Sequence, residues 1–145
     1  MNVERIQKCI AMLEAANENN FSMIWYQNNT GDVYHRANNV VDLHRCGNTA
    51  CFAGYLTISD FFKEDGGECK FSYPVYKGYD ESDAVAAYLD ISVLTATSLV
   101  FGDVGEGRYS NFYGKHWEEV KPNDVIKKLK ELLDRNETCS LYIKE

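Results

Sequence analysis

The stretch from His44 to Phe62 constrains the fold more than any other part of the chain, because it joins a marked helix start to an almost unbroken apolar surface. If residues 49–62 form a helix, apolar side chains cover most of its circumference, which is typical of a buried helix. Gly54 costs about 1 kcal/mol relative to alanine in a helix interior, which indicates close packing there. The sequence therefore predicts a buried central helix that carries Cys51, Phe52, Tyr55, Leu56, Ile58, Phe61 and Phe62.

The start of this helix is also a candidate site for an anion. Gly47 gives the backbone the freedom to turn into the helix, and Asn48 or Thr49 can cap its first free amides. Those amides and the positive end of the helix dipole favour a negatively charged group, and Arg45 adds a positive charge beside them. The simpler interpretation is a capped core helix, since every helix start leaves free amides.

Apolar residues at helical spacing predict further helices on both sides of the central one. The first covers about 2–16 with Asn2 as its cap, and two shorter ones follow over 80–90 and 92–102. The last begins at Lys121-Pro122, where proline suits the first helical position, and extends to about residue 135.

Signals for β-strands are weaker. Residues 21–27 and 141–143 are short and β-prone, and 71–76 alternates loosely around Pro74, which favours at most an edge hairpin. The predicted fold class is therefore mainly α, a single compact domain over 1–145. It has four or five helices around the buried central helix and a small β element.

Length and apolar content fit one globular domain. The chain has 145 residues, of which 45% are hydrophobic, enough to bury a substantial core. Its apolar runs are much shorter than the roughly 20 residues that span a bilayer, and its first residues lack the basic-then-apolar order of a secretory signal. A cytoplasmic protein with no membrane partner is predicted.

Net charge and cysteine content bear on which partners, disulfides and metal ions the chain is expected to have. A net charge of −7 disfavours nucleic acid as a partner, because binding by phosphate neutralisation needs a basic face. Five cysteines form no disulfide framework and indicate a reducing compartment. His44, Cys46, Cys51 and Cys69 lack the usual spacing of a zinc finger. We therefore expect no metal and no cofactor.

Aromatic side chains mark the candidate binding surface. The chain has ten tyrosines, and tyrosine and tryptophan are enriched at binding interfaces. The neighbours Trp25 and Tyr26 cannot both face inward in a strand. The glycine-bearing segment 103–120 is predicted to form the working surface with them, through Tyr109, Tyr113, His116 and Trp117. The alternative is that these rings fold back as a lid over the core.

The order Cys46-Gly-Asn-Thr-Ala-Cys-Phe-Ala-Gly-Tyr55 resembles a motif of small, mostly uncharacterised phage and bacterial proteins. Their motif is Cys-Gly-Thr-x-Ala-Cys-x-Ala-Gly-Trp, followed by an alanine-rich helix, a Leu-Gly-Leu-Ser element and a last helix that begins with Thr-Pro. In this chain asparagine replaces the threonine at position 48 and tyrosine replaces the tryptophan at position 55. The resemblance implies a small, mostly helical fold and a phage accessory role.

Cys46 before Gly47 also resembles the nucleophile of papain-like cysteine peptidases, where a helix start lowers the pKa of the thiol. His116 and Asp124 are the candidates that would complete a triad. Bacteriocin-processing peptidases with an Asp-Cys-Gly motif carry a glutamine six residues before the cysteine, and this chain has Val40 there. Because of this mismatch, a papain-like cysteine hydrolase is only the second alternative for function.

The leading functional hypothesis is a non-enzymatic phage-type accessory protein that binds and inhibits a host protein in the host cytoplasm, as a counter-defence factor. The first alternative is a protein that sequesters a small anionic ligand such as a nucleotide signal. In that case Arg45, Asn48 and Thr49 would hold the anion while Trp25, Tyr26, Tyr113 or Trp117 stack on the base. Homo-oligomer formation is left open.

Overall fold

The fold is mainly α, with a small antiparallel sheet and a short hairpin. The computed structural model describes residues 1–16, 18–23, 50–70 and 73–144, with the backbone alone for 136–144. Within these residues there are six α-helices: α1 Val3–Glu14, α2 Phe52–Ile58, α3 Asp60–Glu64, α4 Glu81–Leu89, α5 Val93–Phe101 and α6 Pro122–Lys144.

The strands form two separate antiparallel groups. In the first, β2 (Tyr73–Tyr76) lies between β1 (Glu68–Lys70) and β3 (Tyr79–Asp80). In the second, β4 (Tyr109–Ser110) pairs with β5 (Lys115–His116). Short 3₁₀ turns are present at Glu18–Asn20, Glu106–Arg108 and Trp117–Glu119.

Helix α1 confirms the predicted first helix. The side chain of Asn2 caps it by accepting a hydrogen bond from the backbone amide of Arg5, at 3.0 Å. The apolar stripe is buried and consists of Ile6, Cys9, Ile10 and Leu13. The helix packs against α6, so the first and last helices of the described chain are neighbours in the fold.

The helix predicted over 49–62 is instead two helices, α2 and α3. Ser59 interrupts them with extended backbone (ψ 136°), and its hydroxyl donates to the carbonyl of Tyr55 at 2.8 Å. Serine competes in this way with the helical backbone bonds, which accounts for the break. The predicted cap at Asn48 or Thr49 is also wrong, because α2 begins at Phe52 and Cys51 Sγ accepts from the Gly54 amide. All seven residues of α2 are buried.

Pro74 lies in the middle strand of the sheet, not in an edge hairpin as predicted. It pairs with Cys69 of β1, whereas the pairing between β2 and β3 begins only at Val75. Proline lacks the amide donor needed for pairing on both sides. The short length of β3 leaves Pro74 with a strand on one side alone, which makes the proline acceptable there.

Helices α4 and α5 pack against each other, and their ends match the predicted ones. Ser92 caps α5 by accepting from the Thr95 amide at 3.1 Å. Gly102 ends it with a left-handed conformation (φ 71°), which glycine adopts without strain. A Cβ at Gly102 would also overlap the ring of Trp117, so this position needs glycine for two reasons.

Helix α6 is longer than predicted. It begins at Pro122 as expected but continues to Lys144, so the predicted strand at 141–143 is wrong. No glycine or proline follows Pro122 in the sequence, and nothing in the chain therefore breaks the helix at residue 135.

One apolar cluster joins residues of all six helices and of β2. Its largest fully buried side chains include Phe52, Tyr55, Leu56, Phe62 and Tyr88. None of the helices in the described part of the chain combines the length and apolarity needed to cross a bilayer.

Candidate interaction surface

The outer face of α5 is apolar and exposed. The nine residues of this helix include no charged side chain. Val93 and Leu94 are 55% and 79% exposed on one side, while Ala96, Leu99 and Val100 are buried on the other. Because a surface helix normally turns a polar face to water, α5 is the exception among the helices that the structure describes.

We call this face the α5 strip. It consists of Val93, Leu94, Phe101 and Val104, with Thr97 and Ser98 between them. Phe101 and Val104 are 41% and 40% exposed. A shallow groove of about 460 Å³ lies along the strip. Burying one such side chain fully is worth about 1.5–3 kcal/mol, so a partner that covers the strip would gain appreciable free energy.

Acidic residues border the strip. Asp103 lines the groove itself. The hydroxyl oxygens of Thr97 and Ser82 lie 3.3 Å apart, which places the first turn of α4, with Glu81 and Asp83, beside the strip. Residues 79–107 contain six aspartates or glutamates and no lysine, arginine or histidine. Residues 79–107 therefore carry most of the net negative charge of the chain.

The segment 103–120 folds back as a lid over much of its length. Tyr113 and Trp117 are each only 8% exposed, which favours the alternative that these two rings fold back over the core. The Tyr113 hydroxyl donates to the carbonyl of Leu99 at 2.7 Å, and burial raises the pKa of Tyr113 well above its ordinary value. These rings attach the segment to α5.

Tyr109 and His116 are the other predicted site residues in this segment, and the structure pairs them across the β4–β5 hairpin. Tyr109 is 47% exposed. Its carbonyl accepts a hydrogen bond from the backbone amide of Gly105, which follows Val104, the last residue of the α5 strip. His116 is half-buried, and its Nδ1 accepts from the Glu118 amide at 3.3 Å. Trp25, Tyr26, Arg45, Asn48 and Thr49 lie outside the described residues.

Asp124 does not support His116 as a triad acid would. One carboxylate oxygen accepts from the Lys121 amide at 2.8 Å, and the other lies 2.9 Å from Lys115 Nζ. Asp124 thus caps the start of α6 and ties it to the β4–β5 hairpin. Cys46 lies outside the described residues, and the histidine and the aspartate proposed to assist it each have another structural role.

The described thiols give no indication of a reactive centre at α2. Burial raises the pKa of Cys9 to about 12 and that of Cys51 to about 11, so both thiols are protonated at neutral pH. Cys69 is exposed on β1. No group of three histidine, cysteine, aspartate or glutamate side chains suited to a metal ion occurs among the described residues.

A second polar feature, centred on Arg5, was not predicted. The guanidinium lies 4.4 Å from the centre of the Tyr88 ring and donates to the Tyr76 hydroxyl and the Tyr88 carbonyl, at 3.2 and 2.9 Å. The Tyr88 hydroxyl donates to Asp65 at 2.6 Å. The cluster joins α1, β2, α4 and the end of α3. Its partners are far apart in sequence, so no local pattern could have indicated it.

No protein-family model, curated protein or solved structure matches the chain. Function is therefore inferred from the surface described above. The α5 strip does have a signal in the sequence, because residues 91–102 form a charge-free run inside the longest stretch that lacks a basic residue.

Proposed function

We propose that the chain is a non-enzymatic accessory protein that binds a partner protein through the α5 strip and thereby inhibits it. The observation that carries this proposal is the exposed, charge-free face of α5. Contiguous exposed apolar surface with a polar border is typical of protein interaction sites.

The shape of the strip favours a macromolecule over a small molecule. The exposed positions 93, 94 and 101 and the half-buried positions 97 and 98 follow one side of a helix, and the groove beside them is shallow. Small ligands are generally held in concave pockets that bury most of their surface. A partner helix or loop that lies along α5 would cover the strip more completely.

The resemblance of the motif at Cys46–Tyr55 to phage and bacterial proteins suggests that the partner is a host protein and that the role is counter-defence. The site of action would then be the host cytoplasm. The hypothesis of a nucleotide-sequestering protein stays a prediction, because its anion-binding residues, Arg45, Asn48 and Thr49, lie outside the described part of the chain.

We also infer that α2 is the central helix of the core. It contacts α1, α3, α4, α5, β1 and β2, and all of its residues are buried. In this arrangement α2 supports the inner face of α5, and the rigid core presents the outer face to a partner.

The test is the substitution Leu94→Asp. Leu94 is 79% exposed and lies in the first turn of α5, where a carboxylate interacts favourably with the helix dipole. We expect the melting temperature to stay nearly unchanged while the protein loses the host protein that the unaltered chain captures, together with inhibition of that protein. The measurement combines co-purification from host extract with thermal unfolding.

The matched control is Gln7→Asp, which places the same charge at an exposed position of α1. It should keep both capture and inhibition. If Leu94→Asp captures the same host protein as well as Gln7→Asp does, the α5 strip is not the binding surface and the proposed function is wrong.

A further inference from the structure

We infer that the partner segment covering the α5 strip is an amphipathic helix with an apolar face flanked by lysine or arginine. This inference rests on the proposed function and specifies the chemistry of its partner. Two independent features of the surface carry it, namely the distribution of charge around the strip and the helical spacing of its apolar side chains.

The charged side chains that border the strip in the described part of the chain are acidic. Asp103 lies in the groove, Glu106 is exposed in the loop that follows, and Glu81 and Asp83 begin the neighbouring helix. All six charged side chains of residues 79–107 are acidic. Such a surface attracts a basic partner and speeds its association, and the effect weakens with added salt.

The nearest basic side chains on either side of this stretch contact other residues. Lys77 lies over the Tyr76 ring, with its Nζ 5.4 Å from the ring centre. Arg108 pairs with Glu118, and the atoms of the two side chains lie 2.7 Å apart. Lys115 is likewise engaged, by Asp124. Among the described residues, Asp83, Asp103 and Glu106 take part in none of the ion pairs, so their side of the strip stays acidic and a partner would bring the compensating cations.

A second copy of this chain fits the strip poorly. A two-fold interface brings the same surface of both subunits together, so the acidic borders would face each other. Like charges juxtaposed across an interface are unfavourable. The same charge also disfavours nucleic acid and anionic lipid surfaces, which carry negative charge of their own.

The spacing of the strip suits a helix. From Val93 to Phe101 the exposed apolar positions extend over two turns, about 12 Å at 1.5 Å per residue. A helical segment meets such a surface with side chains at positions i, i+3, i+4 and i+7. Basic residues next to that apolar face would then approach Asp103 at one end and Glu81 and Asp83 at the side.

The experiment uses two synthetic helical peptides as probes. Both carry leucine at i, i+3, i+4 and i+7, and they differ only in flanking residues, which are lysine in one and glutamate in the other. Binding to the full chain is measured by fluorescence anisotropy. We expect the lysine peptide to bind at least about tenfold more tightly, with the difference shrinking as salt is added.

Variants of the chain locate the effect. Leu94→Asp should weaken binding of the lysine peptide, and the double substitution Asp103→Asn with Glu106→Gln should weaken it several-fold. The matched control is Glu14→Gln with Glu18→Gln, which removes two exposed carboxylates, one at the end of α1 and one in the 3₁₀ turn that follows, and should leave binding unchanged. A lysine peptide with its leucines scattered around the helix should bind weakly.

The outcomes separate this inference from the proposed function. If capture of the host protein depends on Leu94 but both peptides bind equally, the strip is a docking surface and the basic partner is wrong. If neither capture nor peptide binding depends on Leu94, both proposals fail. If sedimentation shows a dimer that Leu94→Asp dissociates, the occupant is a second copy and the inference is overturned.

Discussion

At the scale of single residues, exposure decides what a side chain contributes. Leu56 and Leu94 have the same chemistry, but Leu56 is fully buried in α2 whereas Leu94 is 79% exposed on α5. Burial of the first drives folding, and the exposed second is available to a partner. The surroundings of a charged side chain matter in the same way. The guanidinium of Arg5 is half-buried, and it is stabilised there by contacts with Asp65 and with two tyrosine rings.

The comparison of Leu56→Ala with Leu94→Ala tests this distinction and the central role of α2. We expect Leu56→Ala to lower the free energy of unfolding by about 2–5 kcal/mol, because it removes buried contacts and leaves a cavity. Leu94→Ala should change it by no more than about 0.5 kcal/mol, as is usual for surface substitutions. Denaturant titration of the two variants measures both values, and equal small losses would refute the placement of α2 in the core.

Single residues also show where prediction from sequence succeeded. Asn2, Ser92 and Pro122 act locally, through the first turn of their own helix, and their sequence signals were sufficient. The break at Ser59 comes from a local bond to the Tyr55 carbonyl, which a serine inside a helical pattern does not always make. The place of Pro74 in the middle strand depends on the short length of β3, which the sequence around the proline does not specify. The Arg5 cluster depends entirely on long-range contacts, which a single sequence does not reveal.

At the scale of elements, the segment 103–120 is the clearest case of a structure decided by packing. Its composition suited an exposed binding loop or a lid, and the sequence could not choose between them. The burial of Tyr113 and Trp117 against α5 and Gly102 makes the central part a lid, while Val104 and Tyr109 stay exposed. The buried part of the segment thus packs against α5, and its exposed part extends the outer surface of that helix.

The contact between Gly102 and Trp117 gives a prediction at this scale. Trp117→Ala should lower the free energy of unfolding by about 3–5 kcal/mol, because it empties a buried site under the lid. Gly102→Ala should also destabilise, since its Cβ would overlap the Trp117 ring and its φ of 71° is strained for alanine.

The double variant should lose less stability than the sum of the two, because the ring that meets the new Cβ is already absent. Denaturant titration of the three variants measures this coupling. Ser110→Ala is not a suitable control because its hydroxyl joins the same contact, so Gly78→Ala, whose Cβ position is open, serves instead. Strictly additive losses would show that Gly102 and Trp117 act independently.

At the scale of the whole molecule, the core holds several weakly acidic groups in their protonated form. Burial raises the pKa of Cys9 from 9.0 to about 12 and that of Cys51 to about 11. Burial also raises the pKa of Tyr55, Tyr88 and Tyr113 above the ordinary value of 10.0. All five belong to the one apolar cluster, so their ionisation is coupled to global unfolding.

These shifts predict that the molecule loses stability at alkaline pH. The folded state retains protons that the unfolded state releases once pH exceeds about 9 for the thiols and about 10 for the tyrosines. The unfolded state then binds fewer protons, so the free energy of unfolding falls as pH rises, by up to about 1.4 kcal/mol per pH unit for each group.

Melting temperatures measured from pH 8 to 11 should therefore be level at first and then fall with increasing slope. Cys9→Ala removes one of the two buried thiols in the described part of the chain and should make the decline between pH 9 and 10 shallower, whereas Gln7→Asp should leave it unchanged. A melting temperature that stays constant to pH 11 would mean that these groups ionise as easily in the folded protein as in the unfolded chain, in contradiction to their burial in a shared core.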